Sequence, residues 1–206
     1  MNPVIYVVDD DAAVRNGLQR LLEAEAYNVC IFASPLDFLA HPLQAVPGCL
    51  ILDMNMPEAD GFMVTASLRE RGHTIPTIFL TGFGTIPVTV KAMKAGAWEF
   101  LTKPADPEKL LQSVAEAIRL SASALNENQE THQLTQRLHS LTPRERELME
   151  LAVSGLLNKQ IATAMGVSEI TAKVHKRRVM EKMQARSPAD LVRIAERLNL
   201  FKTQVH

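Results

Sequence analysis

The sequence predicts two modules of different class: an α/β doubly wound, parallel (βα)5 sheet over residues 1–120, and an all-α unit of four helices containing a helix-turn-helix over residues 141–206. Three observations predict this. Short apolar runs alternate with segments of helical period through residue 120, no strand pattern occurs after residue 141, and residues 121–140 between them are rich in Ser, Asn, Gln, Thr and Glu. Near-continuous apolar runs suit strands buried on both faces, and their alternation with helices points to a parallel sheet. At ~100–200 residues per domain, the length accommodates two small cores.

The runs at residues 5–8, 29–32, 49–52, 77–80 and 98–101 predict the five strands. Val14, Leu18, Leu21 and Leu22 lie at helical spacing, as do Val88, Ala92 and Ala95. Pro107 suits a helix's first turn, and Leu110, Leu111, Val114, Ala117 and Ile118 continue the pattern after it. Leu111, Ile118 and Leu125 are spaced by sevens, and residues 121–140 contain no Gly or Pro. This last helix can therefore run on into the linker until Leu134 and Leu138 resume an apolar stripe; a flexible linker is the alternative. In the second module Thr142, Pro143 and Glu145 form a capping box that opens a helix running to Gly155. A second helix over residues 158–165 stops at Gly166, Ser168 caps a third over residues 169–184, and Ser187-Pro188 opens a fourth over residues 187–198. The short turn between the second and third makes the helix-turn-helix.

The formal net charge of −1 hides an asymmetry. Residues 1–140 hold 16 acidic and 10 basic side chains, net −6; residues 141–206 hold 7 and 12, net +5. Such a split points to an acidic module joined to one that touches a polyanion, with chance clustering as the other reading. Cys30 and Cys49 each sit in an apolar run, which speaks against a disulfide scaffold or a cysteine zinc site and predicts buried small hydrophobes in a reducing compartment. The N-terminus lacks a basic segment followed by an apolar one, and no run of ~18 apolar residues occurs. The expectation is a soluble, cytoplasmic protein with no membrane partner.

In open parallel sheets, ligands sit beyond the carboxyl ends of the strands. Here the first strand ends in Asp9-Asp10-Asp11, the third in Asp53, the fourth in Thr81 and the fifth in Lys103-Pro104. Clustered carboxylates repel unless a hard cation or a positive side chain compensates them, and oxygen-only ligands point to Mg²⁺. None of the six histidines falls at a strand end. With a metal and a lysine offsetting developing charge, an aspartate can act as nucleophile toward phosphorus. Single aspartates after strands are common turn formers, so the joint pattern carries the weight. Asp11 suits the N-cap of the first helix better than a metal site. Trp98 is expected to be half packed.

In the helix over residues 169–184, Ala172, Val179 and Met183 share a stripe that can face a core, and Ile170, Lys173, Val174 and Arg177 lie opposite. A valine flanked by cations suits the major groove, where it can meet a thymine methyl while Lys or Arg reaches guanine. Thr171, His175, Arg178 and Lys182 flank that stripe and could contact phosphates. A merely solvated basic face is the alternative.

Two resemblances sharpen these readings. Val7-Val8-Asp9-Asp10-Asp11, Ile51-Leu52-Asp53-Met54-Asn55-Met56-Pro57 with Gly61, Leu80-Thr81-Gly82 and Phe100-Leu101-Thr102-Lys103-Pro104 resemble the signature set of two-component receiver domains, over residues 3 to about 120. The resemblance implies that Asp53 accepts a phosphoryl group from a sensor histidine kinase. It implies that Asp10, Asp53 and the backbone carbonyl of Asn55 hold Mg²⁺, with Asp9 acting through water. Thr81 and Lys103 would contact phosphoryl oxygens, Phe100 would be the switch aromatic without the hydroxyl of the frequent Tyr, and Pro104 would follow a cis bond. Leu141-Thr142-Pro143-Arg144-Glu145-Arg146-Glu147, Gly155, Asn158-Lys159-Gln160-Ile161-Ala162, Val167-Ser168 and Thr171-Ala172-Lys173-Val174-His175 resemble the helix-turn-helix of the LuxR/FixJ group (FixJ/NarL type), over about residues 138–200. Ala172 and Gln160 depart mildly from the commoner Val and Glu. This second resemblance implies that Lys173, Val174 and Arg177 read bases in double-stranded DNA and that Asn158 and Lys159 help at the backbone. It also implies a homodimer, often formed through the last helix, and it allows RNA polymerase as a further partner. Together the two imply a phosphorylation-switched transcription regulator whose receiver catalyses only its own phosphoryl transfer and dephosphorylation. A Mg²⁺-dependent phosphohydrolase and a phosphorylation-independent DNA binder are the competing readings.

Overall fold

The computed structural model describes residues 2–57, 61–82 and 97–200. The chain divides into two compact units, Met1–Asn126 and Glu127–His206.

The first unit is built on a five-stranded sheet of Val4–Val8 (β1), Asn28–Phe32 (β2), Gly48–Asp53 (β3), Thr77–Thr81 (β4) and Glu99–Thr102 (β5), in the order β2-β1-β3-β4-β5. Every pairing is parallel. The strands' alternation sorts their side chains into two cores. On one face Val4, Tyr6 and Val8 of β1, Leu50 and Leu52 of β3 and Phe79 of β4 meet Phe38, Val64 and Leu68 from the helices Pro35–Ala40 (α2) and Gly61–Glu70 (α3). On the other, Ile5, Val7, Ile51, Ile78 and Leu80 meet Leu18 and Leu22 of Ala12–Ala24 (α1), with Leu110, Val114 and Ala117 of Pro107–His139 (α4). The helix expected around Val88, Ala92 and Ala95 lies outside the described residues.

Two expectations are corrected. β2 is not buried on both faces: it is an edge strand paired only with β1, and Ile31 is 36% exposed. For the same reason Cys30 is half-buried, whereas Cys49 in β3 is fully buried, which pushes its thiol up to about 12. Trp98 stands just before β5, its N–H on the carbonyl of Thr77 at 2.9 Å and 38% of its surface exposed.

α4 is continuous through residues 121–139 and crosses the division between the units. The second unit holds Pro143–Val153 (α5), Asn158–Met165 (α6), Glu169–Met183 (α7) and Pro188–Arg197 (α8). The capping box is present: Thr142 Oγ1 accepts from the N–H of Glu145 at 3.3 Å, and the Glu145 carboxylate accepts from the N–H of Thr142 at 2.9 Å. Gly166 ends α6 with φ of 66°, a left-handed turn that a residue without Cβ adopts without strain. Ser168 then caps α7, and Ser187 caps α8. The core gathers Leu148, Met149, Ile161, Met165, Ala172, Val179, Met183 and Leu191. No helix among the described residues is long and apolar enough to cross a membrane.

Candidate functional site

The sheet order makes β1 and β3 neighbours, so the chain leaves the sheet at Asp9 and at Asp53 side by side. One carboxylate oxygen from each of Asp9, Asp10 and Asp53 lies within 4.8 Å of the others. Asp9 and Asp53 are buried, 1% and 5% exposed, and Asp10 is exposed. Lys103 reaches this pocket because β5 ends one residue earlier and its N–H binds the carbonyl of Thr81 at 2.7 Å. Its Nζ lies 2.6 Å from Asp9 Oδ2 and 3.0 Å from Asp53 Oδ2. The next peptide bond, Lys103–Pro104, is cis.

Both members of the Asp9–Lys103 pair have raised pKa values. For Asp9, burial dominates and the neighbouring Asp53 adds to it, against the hydrogen bonds from Lys103 and the Asp11 N–H. For Lys103, burial works against the charge, but the hydrogen bonds and charges of Asp9 and Asp53 together outweigh it and hold the ammonium protonated. Buried carboxylates around one lysine leave surplus negative charge, and their all-oxygen donor set fits a hard divalent cation.

The surrounding backbone is fixed tightly. Asp11 caps α1, accepting from the N–H groups of Ala13 and Val14 at 2.7 and 3.3 Å, which confirms its reading as a cap. Asp53 Oδ1 accepts from the N–H of Asn55 at 3.2 Å. Gly61 is required by space: a Cβ there would sit 2.6 Å from a Phe79 ring atom and 3.2 Å from the Asp53 carbonyl. Thr81 ends β4, 1% exposed, and Phe100 is packed inward at 9% exposure in the core that includes Met54 and Phe79. One neighbour of the pocket was missed from sequence: Arg15 on α1, whose Nη1 donates to the Asp9 carbonyl at 2.6 Å. Its place four residues after the capping Asp11 was the available signal.

In the second unit α7 shows the expected division of faces. Ala172, Val179 and Met183 are buried, while Ile170 is 76% and Val174 38% exposed. Lys173 and Arg177 stand on the exposed side, in surface pairs with Glu169 at 3.2 Å and Glu181 at 3.5 Å. Exposed pairs of this kind contribute ~0.3–0.5 kcal/mol, so both cations are readily available to a polyanion. Arg178 and Lys159 are exposed, and Thr171 bonds the capping Ser168.

Lys182, expected among the residues flanking the stripe, also makes bonds within the unit. Its Nζ lies 2.6 Å from Glu145 Oε2 and 3.0 Å from the carbonyl of Ser140, because the buried Glu145 needs a cation. Glu145 is in turn held down to about 2, chiefly by the hydrogen bond from Lys182 and then by the Thr142 N–H. His175 is half-buried, its Nδ1 turned inward without a hydrogen-bond partner. Asn158 Oδ1 accepts from Lys176 Nζ at 3.1 Å, a tie across the helix-turn-helix that no spacing in the sequence signals.

A sheet whose carboxyl edge gathers carboxylates around a lysine, in one chain with a helix-turn-helix, is the architecture of a signal receiver coupled to a transcription module. The family profiles agree: that of the response regulator receiver domain matches residues 5–115, and that of the bacterial regulatory proteins of the luxR family matches residues 139–195. The chain belongs to the two-component response regulators that carry a LuxR-type DNA-binding domain, regulators of transcription that act in a phosphorylation-dependent way. It is similar to response regulator protein TmoT of Ectopseudomonas mendocina, 43% identical over 95% of this chain and 89% of that protein. It also resembles the tetrathionate response regulatory protein TtrR of Salmonella typhimurium, 39% identical over 98% and 96%. Among solved structures, response regulator StyR aligns with a TM-score of 0.85 at 41% identity over 95% of this chain and 99% of that one. Full-length FixJ from B. japonicum aligns with a TM-score of 0.56 at 37% identity over 97% and 98%.

Proposed function

We propose that Asp53 is the phosphoacceptor, taking its phosphoryl group from a phosphohistidine of a sensor histidine kinase. The P–N bond breaks with its electron pair returning to the imidazole nitrogen, while a P–O bond forms to the Asp53 carboxylate. The observation that carries this reading is the position of the Asp53 carboxylate: at the end of β3, 3.0 Å from Lys103 Nζ and within 4.8 Å of Asp9 and Asp10. Asp10, Asp53 and the backbone carbonyl of Asn55 would hold Mg²⁺, with Asp9 linked through water. Bound there, the cation offsets charge on the carboxylates and on the incoming phosphoryl oxygens. Lys103 neutralises a second phosphoryl oxygen, Thr81 donates its hydroxyl to a third, and the movement of Phe100 reports the change. The receiver thereby catalyses its own phosphorylation and dephosphorylation and no other turnover.

Residues 1–120 make up the receiver in this reading, residues 121–140 the connection, and residues 141–206 the reader of double-stranded DNA in the cytoplasm. Lys173, Val174 and Arg177 contact bases; Thr171, His175, Arg178, Lys182, Asn158 and Lys159 lie toward the backbone, Lys182 while also paired with Glu145. Phosphorylation shifts an existing equilibrium toward a homodimer on DNA, and RNA polymerase is a further partner.

Replacing Asp53 by Asn tests this. The expected outcome is loss of the hydroxylamine-labile label on incubation with a small phosphodonor and Mg²⁺, and chelation should stop labelling of the unaltered protein. Label that persists in Asp53→Asn would displace this residue as acceptor, and labelling indifferent to chelator would remove the metal.

A further inference from the structure

Asp10 is exposed, and its place is set by the backbone of the turn between β1 and α1. That turn begins where the sheet ends: the registers of β1 with β2 and β3 both stop at Val8. Besides the Asp11 cap of α1, further hydrogen bonds fix the turn beyond that point. The N–H of Asp9 donates to the Phe32 carbonyl at 3.2 Å, and the N–H of Asp11 to Asp9 Oδ1 at 3.0 Å. The N–H of Arg15 donates to the Asp11 carbonyl at 3.0 Å, and Arg15 Nη1 to the Asp9 carbonyl at 2.6 Å. The backbone bond is the first turn of α1 and would form with any residue there; what is particular to Arg15 is its guanidinium on the Asp9 carbonyl.

We infer that Arg15 is a positioning residue of the carboxylate pocket, holding the turn that presents Asp9 and Asp10 to the cation. The inference rests on the metal site under "Proposed function". Rotation at Asp9 would disturb three contacts together, since its carbonyl binds Arg15, its Oδ1 the Asp11 N–H and its Oδ2 Lys103. A bond from a half-buried guanidinium is charge-assisted and directional, and it restrains a carbonyl that has left the sheet ladder.

The pure charge effect of Arg15 has the opposite sign, so the two roles separate by experiment. Positive charge near a pocket that already holds Lys103 disfavours a further cation, so deleting Arg15 on electrostatic grounds alone should tighten Mg²⁺ binding. Positioning predicts the reverse: in the full chain, titrated with Mg²⁺ by calorimetry, Arg15→Ala should bind ~10-fold more weakly, the scale of a lost partner behind metal ligands. Arg15→Lys, which keeps one donor and the charge, should recover most of the affinity. Metal-free amide exchange at residues 10–12 should quicken in Arg15→Ala and return toward normal in Arg15→Lys. Mg²⁺ binding as tight as in the unaltered protein, or tighter, overturns the inference, as does unchanged exchange. An unaltered protein that fails to bind Mg²⁺ overturns the metal reading instead, and the exchange comparison then decides the role of Arg15 by itself.

Discussion

Glu145 shows how much one side chain can carry in a small unit. It closes the capping box of α5 and is 3% exposed, so its charge needs the ammonium of Lys182 at 2.6 Å. Its pKa in the folded chain, about 2, lies below the usual carboxylate value of 4.5. A carboxylate held down in this way stabilises the fold fully above its unfolded pKa, and that contribution is lost as pH falls through the folded value. Glu145→Gln should therefore destabilise the second unit at neutral pH by on the order of 3 kcal/mol at most, reduced by the partial exposure of Lys182. Thermal unfolding of the variant and the unaltered protein should differ by a constant amount above about pH 5 and converge toward about pH 2. A difference that holds through that range would contradict the pairing. The sequence made the capping box legible, since its residues sit three apart. It did not reveal the partner, because Lys182 stands 37 positions away and its spacing on α7 only marks it as peripheral to the core.

At the scale of elements, α7 is the test of whether an exposed cationic face reads DNA. Ala172, Val179 and Met183 anchor one side, and Ile170, Lys173, Val174 and Arg177 project from the other. Lys173→Ala or Arg177→Ala should each cost ~1–3 kcal/mol at particular base pairs while leaving other positions of the site unaffected. Binding measured across a panel of single-base operator variants distinguishes this from a uniform loss, which would assign both residues to phosphates. The helix ends were legible because their chemistry is local: Ser168 before α7, Ser187-Pro188 before α8 and Gly166 after α6 act within a turn of where they stand. The exposure of β2 was not, since an apolar run looks the same at a sheet edge as at its centre. Only the order β2-β1-β3-β4-β5 leaves Ile31 half open.

For the molecule as a whole, α4 is the covalent connection, a helix of 33 residues that contributes Leu110, Val114 and Ala117 to one core and Leu138 to another. The part of it inside the second unit is further tied by Arg197, whose Nη1 lies 2.6 Å from Glu130 Oε2 and whose Nη2 donates to the Glu127 carbonyl at 3.2 Å. Residues 126–130 are exposed, so apart from the contacts of Arg197 the helix there is held chiefly by its own backbone bonds. Asn126→Pro removes one of those bonds and clashes with the preceding turn, at ~3 kcal/mol or more to the helix. Each unit keeps its own core, so both should remain folded while limited proteolysis becomes concentrated at residues 124–130. Unfolding of either unit would show that the cores depend on one another through this helix.

Period, caps and turn residues act over a few positions, and they determined from sequence the class of both modules, three of the five strands as buried throughout, the helices of the second unit and the catalogue of carboxylates at strand ends. Assembly decided the remainder. Asp9, Asp53 and Lys103 meet because parallel pairing brings distant strand ends to one edge. Lys182 pairs with Glu145, and Arg15 closes on the Asp9 carbonyl, because a buried charge and a carbonyl past the sheet's end each need a partner. Those demands arise only once water has been excluded, and no residue's neighbours along the chain disclose them.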